Sequence, residues 1–169
     1  MSVVLETERL ILRESVVADA PALFEMNSDP EVLKYTGDAA FKSVEETEEL
    51  IRNYKDYKKY GYGRWTTIVK ATNEVIGFCG LKYLEDIHET DLGYRWKKQH
   101  WGKGYATEAG RACLQYGFDE LKLEQVIAQV LKDNGASIRV LEKIGMSYWK
   151  QLHTEENPGV LYRILKEDF

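Results

Sequence analysis

The spacing of apolar positions changes period several times along the chain, and each change marks an element. Residues 4–14, VLETERLILRE, set Leu5, Leu10 and Leu12 among polar neighbours as in a half-buried strand. Residues 16–27 lengthen to the period of an amphipathic helix, with Ser15 as its N-cap and Asp19 in its first turn. A second helix is expected over 43–60, where Ser43 and Glu46 form a capping box and Leu50, Ile51, Tyr54 and Tyr57 share one face. Residues 64–84 read as a β-hairpin turning at Ala71–Glu74, and 88–98 as a further strand. A helix over 102–120 and a short apolar strand over 123–131 follow. The next helix, 134–146, opens at Asn134 and closes on Gly145. Two last strands, SYWKQLHT and GVLYRILKE, flank the turn ENPG. Strand–helix–strand in the middle requires a parallel pair, while the hairpins require antiparallel pairing elsewhere. The pattern predicts an α/β (α+β) domain with a mixed sheet, spanning 1–169 without linker or repeat.

Composition narrows the function classes. The 169 residues are 44% hydrophobic and 30% charged, as in an ordinary folded domain. The formal net charge of −5 argues against nucleic acid as a partner and is compatible with a cationic substrate such as an amine. No basic segment leads into a long apolar run, and no apolar stretch approaches the roughly 20 residues of a membrane span, so a cytoplasmic protein without membrane partners is expected. Cys79 and Cys113 form no CxxC and read as small core residues in a reducing compartment. His88, His100 and His153 lack the spacing of metal ligands, so no metal is expected.

The stretch QHWGKGYATEAGRA, 99–112, places two glycines at the mouth of a helical run. Such a turn exposes a row of backbone N–H groups, and the helix N-terminus adds partial positive charge, so the site suits an anion such as phosphate. The P-loop pattern GxxxxGK[ST] is absent. The dinucleotide fingerprint GxGxxG is half met: Gly102 and Gly104 fit, but Thr107 stands at the third position. Glu124 opens its strand, whereas the dinucleotide fold needs its acid at the strand's far end. A third pattern, Q/R-x-x-G-x-G/A, is met in full by Gln99-His100-Trp101-Gly102-Lys103-Gly104. Here the chain resembles the GNAT acyltransferase superfamily, and within it the branch of the ribosomal-protein N-terminal acetyltransferases and polyamine acetyltransferases. ETERLILRE, IGFCGL, DLGYRW, WGKGYATEA and NGASIRVLEKIGM carry the resemblance in order over nearly the whole chain.

That resemblance implies a mostly antiparallel central sheet with one splayed parallel pair, here 88–97 and 123–131. It implies acetyl-CoA as co-substrate. The pyrophosphate would be wrapped by the backbone of Trp101–Tyr105, which places Gln99, Trp101, Gly102, Lys103, Gly104 and Tyr105 in the binding loop. The backbone of Leu92, Gly93 and Tyr94 would pair with the pantetheine arm, and an N–H near Leu92 or Gly93 would polarise the thioester carbonyl. Asn134 matches a position that touches the pantetheine arm; a plain N-cap is the other reading.

Acetyl transfer to an amine requires loss of a proton from an ammonium whose pKa is about 10. Glu89, Asp91 and Gly93 share one face of their strand. Asp91, which matches a frequently acidic position of the branch, and Glu89 are the candidate bases, with solvated edge charges as the alternative. Many superfamily members carry a tyrosine as the acid for the departing thiolate; the matching position here is Leu141. Ser137, on the same side of its helix, is a candidate to position the sulfur or a water. Glu108 reads as structural or as lining the substrate side. Tyr35 and Trp65 could offer aromatic faces to the acceptor's ammonium or belong to the core. The acidic run EETEE, 45–49, is either a solvated helix face or an attractor of polyamines. The expected activity is an acetyl-CoA-dependent N-acetyltransferase acting on a protein N-terminus or a small amine by direct attack in a ternary complex. A GNAT-like domain that binds acyl-CoA without turnover is the alternative. A homodimer is compatible with the branch.

Overall fold

A computed structural model describes residues 3–152 and 159–169. His153 and most of the ENPG turn lie outside the described residues. One eight-stranded sheet runs in the order β1-β2-β3-β4-β5-β6-β8-β7. Its strands are β1 (Val3–Glu6), β2 (Leu10–Arg13), β3 (Arg64–Val69), β4 (Glu74–Leu84), β5 (Glu89–Trp96), β6 (Gln125–Leu131), β7 (Ser147–Gln151) and β8 (Gly159–Leu165). Every neighbouring pair is antiparallel except β5 and β6, as the middle strand–helix–strand unit demands.

Helices cover both faces. On one face, α5 (Tyr105–Asp119) and α6 (Gly135–Lys143) close the main core, in which Trp65, Cys79, Leu81, Leu92, Val126 and Ile164 meet Cys113, Leu114, Phe118 and Leu141. On the other lie α1 (Ala20–Asn27), α2 (Pro30–Leu33) and α3 (Val44–Arg52), with a smaller cluster of Leu23, Met26 and Val32 against Val75 and Phe78, while Tyr57 and Tyr60 of α4 (Asp56–Tyr60) pack against the main core. These are called the α5 face and the α1 face below.

Five features depart from the pattern-based expectation, and three of them follow from named side-chain contacts. Residues 4–14 form two strands, because the Thr7 hydroxyl accepts the Leu10 N–H and turns the chain. Ser15 is not an N-cap; its hydroxyl bonds that of Thr66 at 2.7 Å. The expected helix 43–60 breaks into α3 and α4 at Asn53–Lys55, since the Tyr54 hydroxyl accepts the Arg64 N–H while that of Tyr57 donates to the Arg64 carbonyl. The run after the glycine pair becomes helical at Tyr105, and Pro30 opens a short helix in a segment without helical periodicity. The Ser43 cap of α3 and the left-handed Gly145 after α6 are as expected.

The first helix is anchored by a buried ion pair. Arg13 clamps Asp19 through both Nη atoms at 2.8 and 2.7 Å. Burial works against the Asp19 charge, but Arg13, the Val16 N–H and the Thr66 hydroxyl outweigh it, and the carboxyl sits below its usual range. A depressed carboxyl contributes stability above its unfolded pKa of about 3.9 and loses it as pH falls toward the lower folded value. Asp19→Asn should therefore cost about 3 kcal/mol at neutral pH, because it strands a buried guanidinium. In denaturant titrations the gap between the two proteins should narrow below about pH 4.

Candidate active site

The two parallel strands run side by side with little pairing between them. Asp91 opposite Ile127 is their one paired position, and beyond it β5 and β6 diverge. Asp91 sets the gap. Its Oδ1 accepts the Gln129 N–H at 3.0 Å, so a side chain stands where a neighbouring strand's carbonyl would otherwise serve. Its Oδ2 meets Arg64 Nη2 at 2.5 Å. Arg64 Nη1 also donates to the carbonyls of Gly80 and Asp91, at 2.9 and 2.8 Å. The guanidinium lies directly over Gly93, where a Cβ would come within 2.5 Å of Nη2. Burial raises the Asp91 pKa, and Arg64 and the Gln129 N–H pull against it. Asp91, a candidate general base, is not a free carboxylate: Oδ1 is engaged by the Gln129 N–H and Oδ2 by Arg64.

β5 leads into the glycine turn. Gly102 and Gly104 take the left-handed backbone, with φ of 73° and 81°, which an L side chain resists. A Cβ on Gly102 would meet nothing within 4 Å, so this glycine is needed for its dihedral angles and not for room against the protein. From Gly102 to Thr107 no N–H has an acceptor among the described residues; the Glu108 N–H is the first to bond, to the Gly104 carbonyl at 3.1 Å. The loop's side chains are committed elsewhere. Trp101 is exposed and its indole N–H bonds the Trp96 carbonyl at 3.1 Å. Gln99 bonds Glu25, and the Lys103 carbonyl accepts from Arg9 at 2.9 Å, leaving the Lys103 ammonium in solvent. Arg9 also lies over the Tyr105 ring, 4.5 Å from its centroid.

Glu108 ties the first hairpin to this turn. Its carboxylate accepts from the Thr7 hydroxyl at 2.6 Å, the Arg9 N–H at 3.1 Å and Arg9 Nε at 2.8 Å. Burial opposes its charge, but these donors leave its pKa lowered. The Glu108 carboxylate is thus taken up by the first hairpin. Trp65 belongs to the core and not to a pocket wall: it is 1% exposed, on the α5 face, edge-on to Tyr116 at 5.4 Å.

On the α5 face, Tyr94 bridges the gap to α6, its hydroxyl 2.9 Å from that of Ser137. Burial pushes the Tyr94 phenol up to about 12, so it stays protonated at neutral pH. Asn134 caps α6 through Oδ1, which accepts the Ser137 N–H at 3.2 Å, and its Nδ2 is left over. Leu141, at the position of the missing tyrosine, is 2% exposed. The buried indole N–H of Trp96, stacked on Tyr94 with centroids 6.0 Å apart, has no acceptor among the described residues. Orphan donors of this kind are costly unless a ligand satisfies them.

On the α1 face, the Leu92 side chain points away into the core, leaving Gly93 and the exposed Gln129 at the gap. Glu89 is half-buried at the start of β5, and its carboxylate makes no hydrogen bond or ion pair among the described residues. Tyr35, 38% exposed, lies under Lys34, whose Nζ is 5.2 Å from its ring centroid. Its segment is drawn to the end of β5 by Arg95, which bonds Asn27 at 2.8 Å and Asp38 at 2.7 Å. Among the described residues no group of His, Cys, Asp and Glu could hold a metal, and no helix is long and apolar enough to cross a membrane. Pattern reading alone misses Arg64, Arg9 and Gln129; the one available signal is that an Asp inside an apolar strand needs a cation.

A splayed parallel pair feeding an anion-ready glycine turn defines a class, and the comparisons agree with it. The family model described as Acetyltransferase (GNAT) domain matches residues 9–147. The chain belongs to the GNAT acetyltransferases and is an acyltransferase. It is 38% identical to YkkB of Bacillus subtilis over 162 residues, 94% of this chain and 93% of that protein. The crystal structure of a GNAT-family acetyltransferase from Bacillus anthracis superposes with a TM-score of 0.81 at 31% identity, over 96% of this chain and 98% of that one. Spermidine N-acetyltransferase from Vibrio cholerae, solved with CoA and spermine, shares the fold with a TM-score of 0.80 at 22% identity, over 95% and 97% of the two chains.

If Asp91 holds the gap open, Asp91→Asn should cost stability and activity without reshaping the pH dependence. The expected result is a loss of about 3 kcal/mol in unfolding free energy, from the stranded Arg64. The acidic limb of the pH profile of kcat/KM should stay where it is; its disappearance would restore Asp91 as the base.

Proposed function

We propose that the chain transfers an acetyl group from acetyl-CoA to a primary amine by direct attack in a ternary complex. The observation that carries this reading is the row of unpartnered N–H groups from Gly102 to Thr107, at the mouth of the β5–β6 gap. These donors, with the N-terminal dipole of α5, suit the pyrophosphate of coenzyme A. The free Asn134 amide and the Trp96 indole N–H would serve the carbonyls of the pantetheine arm, beside Leu92, Gly93 and Tyr94. When bound, acetyl-CoA supplies an acyl group already activated as a thioester.

The remaining roles fall to the chain's own atoms. A neutral amine is delivered on the α1 face at the gap, beside Gly93 and the Arg64 guanidinium that covers it. Glu89 lies on that face about 13 Å along the strand from Gly93, so it receives the amine's proton through water. Tyr94, kept protonated, donates to the Ser137 oxygen, which frees the Ser137 hydrogen to point at the departing sulfur. Direct attack is supported by the state of the thiols: Cys79 and Cys113 are both fully buried with sulfurs 3.7 Å apart, and burial pushes the Cys113 pKa up, so neither is placed to accept an acyl group.

Thermal unfolding with acetyl-CoA, coenzyme A, NAD and ATP in parallel tests the donor site. At 100 times its Kd a ligand contributes about 2.7 kcal/mol, a rise of roughly 5–10 °C for a domain of this size. Coenzyme A and acetyl-CoA should produce it, and NAD and ATP should not. A shift without thiol release against any amine would indicate a binding domain without turnover. Glu89→Gln should lower kcat/KM by roughly 100-fold and flatten its acidic limb; an unchanged profile would leave deprotonation to solvent.

A further inference from the structure

We propose that the acceptor end of the gap holds an anion subsite formed by Trp149, Lys150 and Arg163, and that the preferred acceptor is an amine carrying a carboxylate several bonds from the reacting nitrogen. The proposal rests on the acetyltransferase reading above and names the acceptor class.

Strand parity fixes where these residues point. Val160, Tyr162 and Ile164 of β8 belong to the core on the α5 face, so Arg163 turns to the α1 face. Val126, Ala128 and Val130 do the same for β6, placing Ile127 and Gln129 on the α1 face. Asp91, Ile127 and Arg163 stand in one row across β5, β6 and β8, and Gln129 stands opposite Leu161. Arg163 is thus about 8 Å along the backbone lattice from Gln129 at the gap.

β7 adds to this face through an irregularity. Regular alternation would turn Trp149 and Lys150 to opposite sides. The register shifts between Tyr148 and Lys150, leaving Trp149 as an extra residue. Tyr148 remains opposite Tyr162, edge-on at 6.2 Å, while Lys150 stands opposite Leu161. The Trp149 ring then takes two cations, with Lys150 Nζ 4.2 Å and Arg163 Cζ 4.7 Å from its centroid.

Among the described residues this cluster has charge to spare. The indole occupies the flat side of the Arg163 guanidinium, and one Nη1 hydrogen goes to the Gln125 amide oxygen at 3.3 Å. Neither Arg163 nor Lys150 has a carboxylate partner among the described residues. The remaining guanidinium edge matches the two oxygens of a carboxylate, and stacking pre-orients it. Of the other ionic groups on this side of the gap, Asp91 is matched by Arg64 and Asp38 by Arg95, while Lys82 stands opposite Asp91 as a further cation. Glu89 stands at the far end of β5, opposite Leu84. Helix α1 packs on this face at β4. A polyamine reaching across from Gly93 would set its second ammonium against two cations. The net charge of −5 does not govern this, because surface charge is screened beyond about 8 Å at physiological salt.

The test uses three acceptors of one length and different charge: 6-aminohexanoate, 6-aminohexanamide and 1,6-diaminohexane. The amides of Ala-Gly-Glu and Ala-Gly-Gln serve as a peptide pair that separates a peptide acceptor from a small acid. With the full chain and saturating acetyl-CoA, the acid should exceed its neutral and cationic counterparts by about tenfold in kcat/KM in at least one series. Arg163→Gln should bring that ratio to about one. A diamine or amide used as well as the acid, or a variant that lowers all acceptors alike, overturns the proposal while leaving the acetyltransferase reading intact. If coenzyme A raises the Tm but no amine is acetylated, the acceptor reading falls. Calorimetric titration of 6-aminohexanoate into the coenzyme A-bound protein then decides the subsite: binding weakened about tenfold by Arg163→Gln upholds it, and no binding overturns it.

Discussion

A carboxylate occupying the place of a strand governs the centre of this molecule. Two parallel strands flanked by helices would ordinarily zip together, since each unpaired N–H and carbonyl in the sheet interior is expensive. Asp91 stops the zipper by satisfying the Gln129 N–H with a side-chain oxygen. The charge this buries needs a cation, and Arg64 supplies it from two strands away. Arg64 in turn needs a bare strand to lie on, which Gly93 provides. Each residue in this sequence of requirements is explained by the one before it. The result is a slot with polar backbone on its edges, open toward the glycine turn.

The turn has its own support. Arg9 holds the Lys103 carbonyl and stacks on Tyr105, and Glu108 holds Arg9 and Thr7. The short first hairpin thereby acts as a brace on the helix mouth, fixing the direction of the free N–H groups before any anion arrives. Preorganised donors avoid the reorganisation cost that a mobile loop would incur on binding. The carboxylate of Glu108 faces the brace and not the N–H row, so it does not compete with the anion.

Elements whose cause is local are legible in the amino-acid order. The left-handed turn at Gly102 and Gly104, the Asn134 and Ser43 caps, the Gly145 stop and the alternation of β5 follow from spacing and residue type, as does the one parallel pair. What spacing does not carry is partnership. Asp91 and Glu89 look alike as alternating acids, and the difference lies in Arg64, 27 residues before Asp91. Glu108 looks like a charge offered to a substrate until Arg9, 99 residues earlier, folds against it. Trp65 resembles a pocket aromatic for the same reason: parity gives its side of the strand only relative to its neighbours, and not which side the helices fill. The break between α3 and α4 is invisible to helical periodicity, because it follows from two tyrosine hydroxyls bonding one backbone residue of β3.

The extra residue in β7 gives this architecture an unusual kind of heritable variation. Ordinary substitutions change one side chain at a time, whereas a bulge stores a half-period shift. Loss of a single codon at 149 would restore strict alternation while leaving β8 and the slot untouched. The edge strand would keep its ladder and lose its aromatic-cation pair from the outward face in one step. Insertions and deletions, usually counted as damage to a sheet, would here act as a dial on what the outer strands present.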